Sequence, residues 1–265
     1  MDLGTIIGLV LAFGGILIGQ AIEGGHIGSL LQLTAAIIVL GGTLGACLVQ
    51  FPLSVFSGGL KSASRALFPI KVDNKEIITE IIGYANKARR QGIISLESEV
   101  ENITDPFLKK ALNMAVDGIE PKTLRETMEM EMSNMEEEGE NPIKFWEAMG
   151  GYSPTIGIIG AVLGLIHVME NLTDPSKLGG GIACAFVATV YGVSLANLIY
   201  FPVAGKLKHQ HRAKMVAKEI ILIGVLSILE GENPRLIEDK LKSFLNQTEQ
   251  GKLSNDAAPS QTKAA

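Results

Sequence analysis

The chain has 265 residues, is 47% hydrophobic and carries a formal net charge of −5. That acidic balance excludes a general nucleic-acid binder, which needs clustered Lys and Arg to displace counterions from phosphates. The apolar fraction alone matches a soluble domain, but here four long uncharged runs alternate with charged segments, the pattern of a polytopic α-helical membrane protein with an internal soluble part.

Leu3 to Ile22 is the first uncharged run. Met1 and Asp2 lack the basic start of a cleaved signal peptide, so the run is read as a retained span. Glu23, Gly24, Gly25 and His26 make a polar turn. Ile27 to Leu60 is the second run, and its span is expected to end near Pro52, Ser57, Gly58 and Gly59. Lys61 to Glu147 is charged and too long for a turn, and reads as a mostly helical domain. Ile77, Ile78, Ile81, Ile82 and Ala85 recur at helical spacing. Asp105 and Pro106 fit an N-cap and first-turn pair, with Gly118 as the terminator. Leu124, Met128, Met132 and Met135 form a stripe suited to a packing face, and Glu136 to Glu140 reads as a solvated helix end.

Ala148 to Met169 and Leu178 to Gly205 contain no Asp, Glu, Lys or Arg, and each is long enough to cross ~30 Å of hydrocarbon. Both are rich in Gly, Ala, Ser and Thr, which let helix backbones approach closely in lipid. A basic flank follows Pro202. Ile220 to Leu229 is apolar but too short to span, so a buried helix outside the membrane is expected. Asn233 and Pro234 open an amphipathic helix with Leu236, Ile237, Leu241 and Phe244, and the polar stretch from Asn246 is expected to be disordered. The expected all-α organisation is therefore two spans in 1–60, a cytoplasmic helical domain in 61–147, two more spans in 148–205, cytoplasmic helices in 206–245 and a tail in 246–265. Of the 23 Lys and Arg, only Lys177 falls in a short turn between spans. Positive-inside bias then puts both termini and the large domain in the cytoplasm.

No span carries a carboxylate or an amine, and intramembrane ionisable groups usually mark an ion path. A chain without them is not expected to relay protons alone. His167, three residues from Glu170, suits an interfacial position better than a relay. Thr189 sits mid-span, where its hydroxyl either bonds back to its own helix or faces a partner's carboxylate or bound water. Pro154 and Pro202 are either tolerated near span ends or free carbonyls where a helix must bend. Lys87, Arg89 and Arg90 precede Glu97, Glu99 and Glu101, making either a solvated face or a docking surface. Cys47 and Cys184 fit small packing residues. There is no phosphate loop, zinc spacing or nucleophile–base set, so neither a cofactor nor catalysis is expected.

Together, ARRQGIISLE, FLKKALNMAVDG, YSPTIGIIGAVLGLIH, AFVATVYGV and LEGENPRLIEDKL resemble the A subunit of the bacterial flagellar motor stator, the MotA/PomA type, from Met1 to about Leu245. The resemblance implies an inner-membrane protein that forms a pentamer around a dimer of B subunits. Each B subunit brings one membrane helix with an essential aspartate and a peptidoglycan-binding domain. Ion flow past that aspartate turns the ring, which drives the rotor. By resemblance, Arg89, Arg90 and Glu97 engage the rotor protein FliG, Pro154 and Pro202 couple conformational change, and Thr189 lies beside the B-subunit aspartate. Ala161 falls where sodium-driven members carry a second threonine. A bare Na⁺ needs several oxygen ligands, so this departure favours protons. Phe186 and Tyr191 flank Thr189 and are candidates for the same interface. An energiser of the ExbB/TolQ type is the nearest alternative, but those chains have three spans and lack the ARRQG segment. A self-contained channel should conduct without a partner.

Overall fold

The computed structural model describes residues 3–68, 72–173 and 175–245, with all regular elements among them helical. The tail expected in 246–265 and the side chain of Lys177 lie outside the described residues. In chain order the helices are α1 (Leu3–Ile22), α2 (Leu33–Gln50), α3 (Leu53–Leu67), α4 (Asn74–Gln91) and α5 (Glu97–Val100). They continue as α6 (Pro106–Val116), α7 (Pro121–Glu170), α8 (Pro175–Leu195), α9 (Phe201–Leu229) and α10 (Pro234–Lys242). Among the described residues, four helical segments are long and apolar enough to cross a membrane, lying in Leu3–Ile22, Ile27–Gln50, Pro121–Glu170 and Leu178–Leu229.

The chain forms two compact units. Among the described residues, one comprises 3–68 and 138–210, the other 72–137 and 211–245. These limits differ from the hydropathy boundaries: residues 61–68 and 138–147 group with the apolar helices.

In the first unit, α1 buries none of its residues within the chain. Helix α2 starts later than the apolar run, because Ile27–Leu30 forms a separate 3₁₀ turn. It stops at Gln50, since Phe51 and Pro52 adopt extended backbone. Proline drives the residue before it out of the helical region and donates no N–H, so α3 begins as a new helix. Ala35 and Val39 of α2 pack on Val187 and Ala188 of α8. A second cluster gathers Cys47, Ala66, Phe145, Trp146, Met149 and Tyr200. Phe145 meets Phe56 and Trp146 edge-on, with Phe56 and Phe145 5.4 Å apart at 87°, the geometry favoured by aromatic quadrupoles.

The second unit is a helical core built as the sequence periodicity indicates. Ile78 and Ile81 of α4 pack with Leu108 and Leu112 of α6, Leu124 and Met128 of α7, and Ile220 and Val225 of α9. The segment 220–229 is indeed buried, as the end of α9. Asp105 caps α6 by accepting from the amides of Phe107 and Leu108, and Gly118 follows the helix at φ +74°. Two expectations are corrected. Glu136 to Glu140 is not a helix end but lies inside α7, which runs on through Pro142 and Pro154; Glu138, the residue whose carbonyl Pro142 leaves without its helical partner, is exposed, so the lost hydrogen bond there is tolerable. Leu236 does not join the buried stripe of α10. It is 49% exposed, while Ile237 and Leu241 are fully buried.

Candidate functional site

Helices α7 and α8 run antiparallel along a seam of small residues. The buried Ser153 hydroxyl donates to the carbonyl of Gly192 at 3.0 Å. A Cβ built on Gly157 would lie 2.9 Å from the Ala188 carbonyl oxygen, and one on Gly192 would lie 2.6 Å from the Ser153 carbonyl oxygen. Further along, a Cβ on Gly164 would come within 2.8 Å of both the Ala185 nitrogen and the Gly181 oxygen. Backbone meets backbone at each point, so only glycine fits. Spacings of three and four residues, Ser153–Gly157–Gly160–Gly164 and Gly181–Ala185–Ala188–Gly192, put each set on one helix face.

Helix α2 covers one side of this pair. Ile38 approaches Gly160, and Ile156 approaches Gly42. Tyr191 belongs to that side: its hydroxyl donates to the Leu30 carbonyl at 2.5 Å and accepts from the Gln32 amide at 3.3 Å. It therefore pins the turn between α1 and α2 to α8. The opposite side of the pair is open within the chain. Helical periodicity puts Pro154, Ile158, Ala161 and Leu165 of α7 there, with Ile182, Phe186, Thr189 and Val193 of α8. Ile158, Leu165, Ile182, Phe186 and Val193 are all exposed, and Phe186 reaches 70%. Thr189 is the one hydroxyl-bearing residue on this apolar face. It is half-buried at the seam's edge and bonds back to the Ala185 carbonyl at a long 3.4 Å. From the seam register, the level of Thr189 falls beside Gly157 and Ile158, so Pro154 lies about one turn away along α7 in one direction and Ala161 slightly less than a turn in the other. Pro154, Ala161, Phe186 and Thr189 thus share a face, and Tyr191 does not.

Pro202 follows a π turn at Ala196–Tyr200. Proline supplies no N–H to the carbonyl four residues back, and the wider i+5 bonding just before it absorbs the mismatch. Such a bulge is an identifiable place for a helix to change direction.

In the second unit, the charge cluster sorts into paired and unpaired groups. Lys87 Nζ meets Glu99 Oε1 at 2.6 Å. The Tyr84 hydroxyl donates to Glu80 at 2.5 Å, and burial, that hydrogen bond and the charges of Glu80 and Glu99 push its phenol far above the usual range. Arg89, Arg90 and Glu97 stay exposed, with no ion pair among the described residues. Gly92 separates the arginines from Glu97 at φ +84°, ψ 159°, a region only glycine occupies readily.

A family model for the MotA/TolQ/ExbB proton channel family matches residues 99–220, and one for the motility protein A N-terminal region matches residues 6–92. Motility protein A of Treponema phagedenis is 37% identical over 253 residues, covering 96% of this chain and 97% of that protein. Chemotaxis protein PomA of Vibrio alginolyticus is 34% identical, with 93% and 96% covered. The chain belongs to the MotA/PomA family. Its fold matches that family's solved structures: C. jejuni MotAB at TM-score 0.88 and 33% identity, covering 93% of this chain and 97% of that one, and the flagellar MotAB stator complex from Bacillus subtilis at 0.85 and 33%, covering 94% and 98%. The family is one of proton-channel subunits, and it makes the chain a multi-pass inner-membrane protein.

Within this MotA/PomA chain, reading the sequence singled out Thr189, Pro154 and Ala161 but not Ser153, Gly157, Gly164 and Gly192, which hold their two helices together. The signal was present as four-residue spacing of small residues. Gly92 was also passed over, although it sets the angle between Arg90 and Glu97. Replacing Gly92 with alanine should cost about 1–3 kcal/mol of local strain. The measurement is thermal unfolding of the full chain, with hydrogen exchange reporting faster opening around Ile93–Leu96; an unchanged midpoint would refute the strain.

Proposed function

We propose that this chain is the A subunit of a proton-driven flagellar stator, assembling as a pentamer around a dimer of B subunits. The observation that carries this is the open α7–α8 face: apolar and uncharged, with a single hydroxyl at Thr189. A face of that kind suits one membrane helix of a partner that brings its own carboxylate. In hydrocarbon an aspartate needs a hydrogen-bonding group nearby when it loses its proton, and Thr189 or a water held by it supplies one. Phe186 would pack against the incoming helix. Ala161 offers no oxygen for Na⁺, which leaves proton transfer as the supported chemistry. Pro154, about a turn from Thr189, and Pro202, behind its π turn, are the points where the helices yield as the carboxylate changes charge.

Both termini face the cytoplasm in this reading. Lys206 of α9 donates to the Thr5 hydroxyl at the start of α1, and Gln210 donates to the Arg65 carbonyl of α3 at 3.1 Å. The start of α1, the end of α3 and the basic flank therefore share one end of the first unit, the end positive-inside bias assigns to the cytoplasm. Arg89, Arg90 and Glu97 remain available to a rotor surface of complementary charge, the role filled by FliG.

Thr189→Val keeps the side chain's shape and removes the hydroxyl. It should reduce swimming speed at least ten-fold, while membrane level and co-purification with the B subunit stay normal. In the unaltered strain, speed should ignore external sodium and collapse with a protonophore. Normal swimming by the variant would remove Thr189 from the ion path; sodium-dependent speed would reverse the ion assignment.

A further inference from the structure

Helix α3 carries a feature that stator action does not account for. It starts directly after α2 ends at Phe51–Pro52, and so lies at the edge of the hydrocarbon. Its inner face is fixed: Gly59, Ser62 and Ala66 are buried, and the Trp146 indole N–H reaches both the Gly59 carbonyl at 3.1 Å and the Ser62 hydroxyl at 3.0 Å. A Cβ on Gly59 would strike the Phe145 ring at 2.4 Å, so the helix cannot roll. With that face pinned, Leu53 and Leu60 point outward, 73% and 43% exposed, and Phe68, just past the end of the helix, is 57% exposed. Lys61 and Arg65 flank this stripe, exposed and without an ion pair among the described residues. The segment Leu53–Phe68 contains no Asp or Glu.

We infer that α3 is a binding surface for anionic phospholipid headgroups, with Leu53, Leu60 and Phe68 set among the acyl chains and Lys61 and Arg65 holding headgroup phosphates. An amphipathic helix with an apolar outer stripe and basic flanks lies in the plane of the interface. Arg65 presents a planar fork matched to phosphate, and Lys61 adds a point charge. A partner rich in negative charge complements a face that has two cations and no anion. The inference needs only that the chain spans a membrane; it does not rest on the stator assignment.

The test is lipid retention by the full-length protein. Nanodiscs of mixed phosphatidylglycerol and phosphatidylcholine are loaded with the chain, and native mass spectrometry counts each lipid retained after release. Each basic residue near an anionic surface is worth about a five-fold gain, so Lys61→Gln/Arg65→Gln should lose at least ten-fold in phosphatidylglycerol preference. Lys61→Arg/Arg65→Lys should keep it, and added salt should weaken it in the unaltered protein. Trp146 emission reports whether α3 stays docked in each variant. No phosphatidylglycerol preference in the unaltered protein, or an undiminished one in the docked Gln variant, overturns the inference. So does cross-linking of Lys61 to a carboxylate of a second copy, which would make the face a subunit contact.

Discussion

Gly192→Val should abolish swimming and lower the thermal midpoint of the full chain, whereas Gly151→Ala, on the same pair of helices, should change neither. The contrast comes from what each added atom meets. A Cβ at Gly192 would sit 2.6 Å from the Ser153 carbonyl oxygen and 3.1 Å from the Gly157 Cα, while one at Gly151 would find nothing within 4 Å. Backbone atoms cannot rotate aside as a flexible side chain can, so α7 and α8 must separate. Overpacking of this kind costs about 1–3 kcal/mol, and valine's two extra methyls put Gly192 at the upper end. Separation would also break the Ser153–Gly192 hydrogen bond. Pairing Gly157→Ala with Gly192→Ala should cost less than the two single changes added together, because the first already opens the gap that the second needs. Additive losses would show that the two glycines do not share one seam.

This seam matters more in a membrane than it would in water. Lipid tails are as apolar as leucine, so no water is expelled when the helices associate, and close contact supplies the attraction. Opening the seam by an ångström would therefore forfeit most of what holds the open face in register. Thr189, at the seam's edge, would move with it, so the same substitution reaches both assembly and the proposed ion path.

The four uncharged runs were legible because bilayer thickness and the cost of buried charge act on composition directly. The Asp105 cap, the buried segment 220–229 and the glycine after α6 were legible too, since each depends on neighbours within a few residues. The continuity of α7 was not. Acidic residues followed by Pro142 look like a terminus, yet an exposed helix can pass a proline when water satisfies the freed carbonyl. Leu236 was misplaced because a nine-residue helix leaves one side open, and the residue beside Ile237 falls outside the contact. Tyr191 and Phe186, five positions apart, are rotated onto different faces, and only the position of α2 reveals which face is covered. The seam depends on register between two helices, which composition hints at but does not fix.

Acid should weaken the second unit through one side chain. Asp105 accepts from the amides of Phe107 and Leu108 and lies 2.8 and 2.7 Å from Lys218 Nζ through its two oxygens. Burial by itself raises the carboxyl's pKa, but the Lys218 hydrogen bond and charge together with the two amides outweigh it and hold the group below its ordinary value. A folded pKa below the unfolded one, near ~3.9, means the stabilisation is complete above that value and disappears as pH falls through the lower folded one. Asp105→Ala should cost about 2 kcal/mol at neutral pH: roughly 1 from the lost cap and the rest from a lysine left only 18% exposed with its partner gone, discounted because the aspartate itself is about one-third exposed. Asp105→Asn keeps a cap and should cost roughly half as much, while flattening the acid limb of the unfolding curve. Thermal midpoints of the full chain between neutral and acid pH, for both variants, decide it. An asparagine variant with an unaltered acid limb would place the pH sensitivity elsewhere.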